Sequence, residues 1–171
     1  EGGSAPSRGR DGMAQTGLYE GSVRVLARDD FLAYRALAER EGACPLVKSV
    51  VAGGKTRQES VFAGLKVVPE SVEWVSIHDA ARPFISHKTI RACVESVKQY
   101  GSGVCAIPAS DTVALAADGN IFSVPARETA FLVQTPQGFY RDKLPAAYEK
   151  ARAEGPHFTD ETCVYTKYVT P

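Results

Sequence analysis

LVKSVVAGGKTRQESVFAGL, residues 46–65, contains the repeating unit of the fold. Residues 46–52 form a short β-rich run, and Gly53-Gly54 close it. Thr56-Arg57-Gln58-Glu59 then fits the [ST]xx[DE] capping box that opens a helix. Val61, Phe62 and Leu65 follow at helical spacing on one face. On the N-terminal side, SVRVLA (22–27) reads as a strand, and Asp29-Asp30 offer N-caps for a helix carrying Phe31, Leu32, Leu37 and Ala38. On the C-terminal side, EWVSI (73–77) reads as a third strand, ending in His78-Asp79-Ala80-Ala81-Arg82-Pro83. The spacing predicts a helix over Ser86–Tyr100 with Ile90, Val94 and Val97 on one stripe, stopped by Gly101 and Gly103. VCAIPA (104–109) is a fourth strand. Strands alternating with helices define the α/β class, with a mostly parallel, right-handed sheet.

The alternation breaks after residue 109. TVALAA and NIFSV are joined through Asp118-Gly119, the strongest two-residue signal for a β-hairpin. A hairpin among βα units has no partner in the sheet rhythm, so an arm projecting from the body is expected at about residues 110–128. FLVQT (131–135) returns to a buried strand. A helix is predicted over Arg141–Glu154, with Pro145 tolerable in its first turn, and Thr159-Asp160 supplies the N-cap of a last helix. Residues 1–21 hold six glycines and little apolar periodicity, and read as a disordered or damaged leader. The remainder, 22–171, is one domain.

The chain has 171 residues, 20 Lys and Arg against 20 Asp and Glu, 44% hydrophobic and 23% charged residues. At about 150 residues per domain this is one unit, long enough to hold a core without staples. A net charge of zero excludes a general basic field for coating nucleic acid or anionic membrane, so phosphate chemistry must use local cations. The four cysteines, Cys44, Cys93, Cys105 and Cys163, contain no CxxC pair and read as buried free thiols in a reducing compartment. No run approaches the roughly 18 apolar residues of a membrane span, and the N-terminus lacks a secretory apolar stretch. These features point to the cytoplasm.

In open α/β sheets, ligands sit beyond the carboxyl ends of the strands. Two such ends carry suitable groups. In Gly53-Gly54-Lys55-Thr56-Arg57-Gln58-Glu59-Ser60, the tight turn admits a ligand close to backbone, and the helix start, Lys55, Arg57 and the Ser60 hydroxyl offer donors to an anion. The same residues also describe a well-capped helix with two solvated cations. In His78-Asp79-Ala80-Ala81-Arg82-Pro83, Asp79 can hold a Mg²⁺ whose other ligands are substrate phosphate oxygens, and Arg82 can clamp phosphate in a bidentate fork. The plain alternative is an Asp cap with a local Asp–Arg pair. His78 fits a packed or supporting residue better than a base, and His87 and His157 read as surface residues.

GGKTRQESVFAGL, HDAARP, SDT (110–112), TPQGF (135–139) and TDE (159–161), in this order, resemble the 2-C-methyl-D-erythritol 4-phosphate cytidylyltransferase family over about residues 22–171. The resemblance implies a Rossmann-like nucleotidyltransferase sheet and transfer of a cytidylyl group from CTP to methylerythritol phosphate with loss of pyrophosphate. It further implies that Gly53, Gly54, Arg57, Ser60 and Ala80 contact the nucleotide, that Asp79 binds Mg²⁺, and that Arg82 reaches the substrate phosphate. Thr135 and Thr159 would help hold the methylerythritol phosphate. The arm would interlock two subunits of a homodimer and deliver Thr112 and Arg127 into the neighbour's pocket.

The family's opening strand and AAGxGxRM loop find no match in residues 1–21, nor does its C-terminal IKxT-like segment find one before Pro171. The expectation is therefore a partial chain with little or no turnover by itself. The alternatives are a non-catalytic remnant that keeps a nucleotide or dimerisation surface, and a relative acting on a pentitol phosphate such as ribitol 5-phosphate.

Overall fold

The computed structural model describes residues 16–42, 44–155, 158 and 160–169. Strand β1 (Ser22–Leu26) leads through α1 (Asp30–Glu41) to β2 (Val47–Ala52), which pairs with β1 in parallel. Helix α2 (Arg57–Lys66) follows β2 directly. Its Thr56 cap is formed: Thr56 Oγ1 accepts from the Glu59 amide at 3.1 Å. The reciprocal arm of the box is displaced by one residue, because the Glu59 carboxylate accepts from Lys55 N at 2.6 Å rather than from Thr56.

Strand β3 (Trp74–Ile77), α3 (His87–Tyr100) and β4 (Ser102–Pro108) continue the predicted order. Ser86 caps α3 and Gly101 ends it in the left-handed conformation, φ 85°. The arm is a hairpin of β5 (Leu115–Ala117) and β6 (Asn120–Ser123), turned by Asp118 and Gly119 at φ 50° and 79°. Positive φ at both positions is the requirement of the type I′ turn that Asp-Gly signals.

The expectation of a mostly parallel sheet needs correcting in detail. Parallel pairing among the described residues is confined to β1 and β2. Strand β7 (Phe131–Tyr140) runs antiparallel to both β3 and β4 and lies between them. The cause is the arm: β4 runs out into it, and the chain returns alongside β4 in the opposite sense. The buried part of β7 also differs from the prediction. Phe131, Leu132 and Val133 are exposed, whereas Thr135–Phe139 are buried.

Phe139 and Gly138 face opposite sides of the sheet, as strand alternation demands. On one side Phe139 meets Phe62 and Leu65 of α2, Leu144 and Tyr148 of α4 (Lys143–Glu154), and Val164 and Tyr165 of α5 (Glu161–Tyr168) in a single cluster. On the other side α3 lies so close that a Cβ at Gly138 would stand 2.5 Å from Val97 Cγ2. Pro145 falls within the first turn of α4, as expected. Leu32, one of the apolar residues that the sequence gives α1, is exposed because α1 offers its apolar residues to no deep partner, and of the cysteines expected to be buried Cys93 is, whereas Cys44 and Cys105 are half-buried and Cys163 is exposed.

Residues 16–21, included in the expected leader, are held against the body. Thr16 is buried, its carbonyl accepts from Arg91, and the Tyr19 ring packs edge-on against Trp74 at 5.4 Å. Residues 1–15 lie outside the described residues. No helix among the described residues is long and apolar enough to cross a membrane.

Candidate active site

The two predicted strand ends converge. Gly53 continues from β2, and its amide donates to the Leu26 carbonyl of β1 at 2.8 Å. A Cβ on Gly53 would meet Ser60 Oγ at 2.8 Å, so a side chain there would push α2 away from the strand end. The Ser60 hydroxyl accepts from Gly54 N at 3.1 Å and donates to the Thr56 carbonyl at 2.9 Å. Its hydrogen is thus used within the turn, and Ser60 acts first by shaping the loop. Lys55 stands exposed beside it.

Asp79 follows β3, with its side chain 42% exposed. Arg57 Nη2 lies 3.5 Å from its Oδ1 and Arg82 Nε 3.9 Å from its Oδ2. The carboxylate therefore sits between one guanidinium from each predicted segment. The Asp79 backbone is fixed from β7: its amide donates to Thr135 Oγ1 at 3.1 Å, and Thr135 is buried. Arg82 N donates to the Asp79 carbonyl at 3.0 Å, which turns Ala80 and Ala81 outward as an exposed bend.

His78 completes this arrangement as a support. Its Nε2 lies 2.9 Å from the Arg82 carbonyl, which can only accept, so the proton resides on Nε2. Nδ1, 3.1 Å from Thr135 Oγ1, then accepts the Thr135 hydroxyl hydrogen. Burial holds the His78 pKa below its ordinary value, against the Arg82 carbonyl and the Asp79 charge, and this agrees with a neutral ring.

The groups that hold Arg57 are not among the residues that the sequence singles out. Arg57 Nη1 donates to Glu161 Oε1 at 2.6 Å, and the Tyr148 hydroxyl donates to the same oxygen at 2.7 Å. Glu161 is fully buried. Burial opposes charge on Arg57, but the Glu161 hydrogen bond and the charges of Glu161 and Asp79 outweigh it and hold its pKa above the ordinary value. Burial, with the Glu161 charge, pushes the Tyr148 hydroxyl up, keeping it a donor. Gln137, also buried, accepts from the Thr162 amide at 3.2 Å and its hydroxyl at 3.0 Å, tying the start of α5 to β7. The available signal was a polar residue inside each of two short motifs, TDE and TPQGF.

Thr159 lies outside the described residues. Its neighbour Asp160 caps α5, accepting from Cys163 N at 3.0 Å. Thr112 and Arg127 are brought together at the base of the arm, where Arg127 Nη2 donates to Thr112 Oγ1 at 3.5 Å, both exposed. The structure thus unites Gly53, Gly54, Arg57, Ser60, Asp79, Ala80, Arg82 and Thr135 around the two strand ends and gathers the arm pair separately.

An α/β fold that brings a glycine turn, two guanidiniums and a carboxylate together at strand ends is consistent with a Rossmann-like nucleotidyltransferase, the class of the solved structures it matches. The comparisons specify it further: the profile of 2-C-methyl-D-erythritol 4-phosphate cytidylyltransferases matches residues 11–169, and the chain belongs to that family. A Clostridium botulinum (strain 657 / Type Ba4) protein of that name is 41% identical over 123 residues, 71% of this chain and 54% of its own length. One from Syntrophus aciditrophicus is 33% identical over 160 residues, 93% of this chain and 68% of its own length. The chain thus spans about half to two thirds of these relatives. The crystal structure of 4-diphosphocytidyl-2C-methyl-D-erythritol synthase from Anaerococcus prevotii matches with TM-score 0.86 at 25% identity, covering 98% of this chain and 73% of that one. The corresponding cytidylyltransferase from Thermus thermophilus gives 0.66 at 28% identity, over 89% and 86% of the two chains.

Proposed function

We propose that this chain forms the strand-end site of an enzyme that joins CTP and 2-C-methyl-D-erythritol 4-phosphate, giving 4-diphosphocytidyl-2-C-methyl-D-erythritol and pyrophosphate on the methylerythritol phosphate route to isoprenoids. The observation that carries this reading is the Asp79 carboxylate between Arg57 and Arg82. In the reaction an acceptor phosphate oxygen bonds to the α-phosphorus of CTP while the bond from that phosphorus to the departing pyrophosphate oxygen breaks. Two anions must be brought together and aligned, which asks the protein for position and neutralising charge. Gly53, Gly54, Arg57, Ser60 and Ala80 take the cytidine half. Arg82 meets the acceptor phosphate, with Thr135 and Thr159 holding the acceptor.

Asp79 is the residue that would hold Mg²⁺. Among the described residues no three His, Cys, Asp or Glu side chains form a cage for a metal. A single open carboxylate suits a hard cation that takes its other ligands from phosphate oxygens and water. When bound, Mg²⁺ neutralises the charge that develops on the phosphates. Glu161 is reserved by its burial and its bond to Arg57.

The arm supports a homodimer. Leu115, Ile121, Phe122 and Val124 expose large apolar side chains on one hairpin, a surface suited to burial against another subunit. Thr112 and Arg127, at its base, are the residues it would deliver to the partner's pocket. The test is pyrophosphate release by the full-length protein from CTP, Mg²⁺ and methylerythritol phosphate. Asp79→Asn is expected to lower the rate by about 10²-fold or more. Near-normal activity in that variant removes Asp79 from the metal role. Equal turnover with ribitol 5-phosphate moves the substrate to the pentitol class, and no release with either acceptor overturns the reading.

A further inference from the structure

Outside the groups described so far, the structure brings together two thiols far from any sequence signature for a pair. Cys93 is buried on α3, and its Sγ lies 3.1 Å from the Gly103 carbonyl of β4. Two residues further along β4 lies Cys105. Cys93 and Cys105 both line a cavity of about 270 Å³ together with Thr89, Ser96 and Val104. Cys105 is half-buried, so small solutes reach it from that cavity.

The backbone at Cys105 is also irregular. Pairing with β7 passes from Val104↔Gln137 to Ala106↔Val133, so residues 134–136 face Cys105 alone and its register is not held by the regular ladder. The neighbouring Cys93 thiol lowers the Cys105 pKa, against burial, while Cys105 and burial both raise that of Cys93. Cys105, the more exposed of the two, is the thiol that a small oxidant reaches first, and Cys93 lies buried behind it.

We propose that Cys93 and Cys105 form a peroxide-sensitive dithiol that closes a disulfide between α3 and β4. The Cys105 thiolate attacks one oxygen of hydrogen peroxide; the O–O bond breaks, the departing hydroxide takes a proton and leaves as water, and Cys105 becomes a sulfenic acid. The Cys93 sulfur then attacks the Cys105 sulfur, the S–O bond breaks, and a second water leaves with the Cys93 proton. Two thiols lose two electrons and one peroxide becomes two waters. The cross-link lies opposite the β7 segment that carries Thr135, the hydroxyl that fixes Asp79.

The experiment treats the reduced, intact protein with a few equivalents of hydrogen peroxide, counts thiols after denaturation and maps peptides without reduction. Trypsin separates the two cysteines, into ACVESVK (92–98) and the peptide 99–127. The expected result is a fall from four thiols to two, with these two peptides joined and released again by dithiothreitol. Cys93→Ser should stop at a sulfenic acid on Cys105 that dimedone traps. Four surviving thiols, a disulfide to Cys44 or Cys163, or no trapped sulfenic acid in a folded Cys93→Ser protein overturns the proposal. The wild-type map needs no substitution, so a variant that fails to fold leaves the test intact.

Discussion

Removing Arg57 should cost more stability than removing the charge of Glu161, although Arg57 is the more exposed partner. The Arg57 side chain is 36% exposed and Glu161 0%. In Glu161→Gln, the amide oxygen still accepts from Tyr148, and the guanidinium can turn to water. The loss is that of charge assistance to a buried hydrogen bond, about 1.5–3 kcal/mol. In Arg57→Met, the carboxylate stays buried with Tyr148 alone, and its Oε2 already lacks a hydrogen-bond partner among the described residues. Leaving a buried charge unpaired in this way costs about 3–5 kcal/mol. For a chain of this size each kcal/mol moves the melting midpoint by roughly 2–4 °C, so the variants should separate clearly. The double variant Arg57→Met/Glu161→Gln removes both charges and should be more stable than Arg57→Met alone, with a coupling of at least about 1.5 kcal/mol in a urea-unfolding cycle. Additive losses, or a Glu161→Gln variant less stable than Arg57→Met, would refute the view that Arg57 is anchored through a buried carboxylate.

His78 is held neutral by burial, its pKa depressed from the ordinary 6.5. The unfolded chain therefore binds the proton first as pH falls, and the His78 contribution should be intact above about pH 6.5 and lost progressively below it. His78→Gln should flatten that part of the stability profile, and an unchanged slope would count against a His78 held neutral by burial. Gly138→Ala places a methyl group 2.5 Å from Val97 Cγ2 and should destabilise by about 1–3 kcal/mol through overpacking, measured by urea unfolding; a neutral result would mean that α3 yields readily. Mixing inactive Arg127→Ala and Asp79→Asn subunits of the full-length protein should restore part of the pyrophosphate release, because one composite site can be intact. No recovery counts against a shared pocket.

The parts of the fold legible in sequence are those fixed by neighbours in the chain. The Thr56 cap, the Gly101 stop and the Asp118-Gly119 turn each depend on contacts within a few residues and form, whereas Asp29, also read as a cap, makes no side-chain bond to its helix. The antiparallel insertion of β7 was not legible, since period-two alternation states which face is buried but not which strand lies alongside. TPQGF illustrates the limit: its Pro argues against a central strand, yet Pro136 falls where the β4 ladder is interrupted, so no regular pairing is lost. The strand-end residues could be singled out because glycine turns and local charge are sequence-local signals. Glu161 could not, because it meets Arg57 across a separation of 104 residues.

That long-range contact redistributes the roles within the site. Arg57 reaches two carboxylates with two different nitrogens, and the shorter bond is the buried one. Much of its charge is therefore balanced inside the protein before any ligand arrives. A guanidinium so engaged is a fixed brace: it keeps the end of α2 at a set distance from Asp79 and offers a ligand its remaining N–H groups in a constant orientation. Arg82 is differently placed, 44% exposed and 3.9 Å from Asp79, so it can turn toward a phosphate without abandoning a buried partner. Lys55, exposed at the glycine turn, is equally free to move. On the proposed reading, neutralisation of an incoming phosphate would fall to Arg82, Lys55 and a cation held by Asp79, while Arg57 would supply geometry, and a net charge of zero over the whole chain is compatible with such a local arrangement.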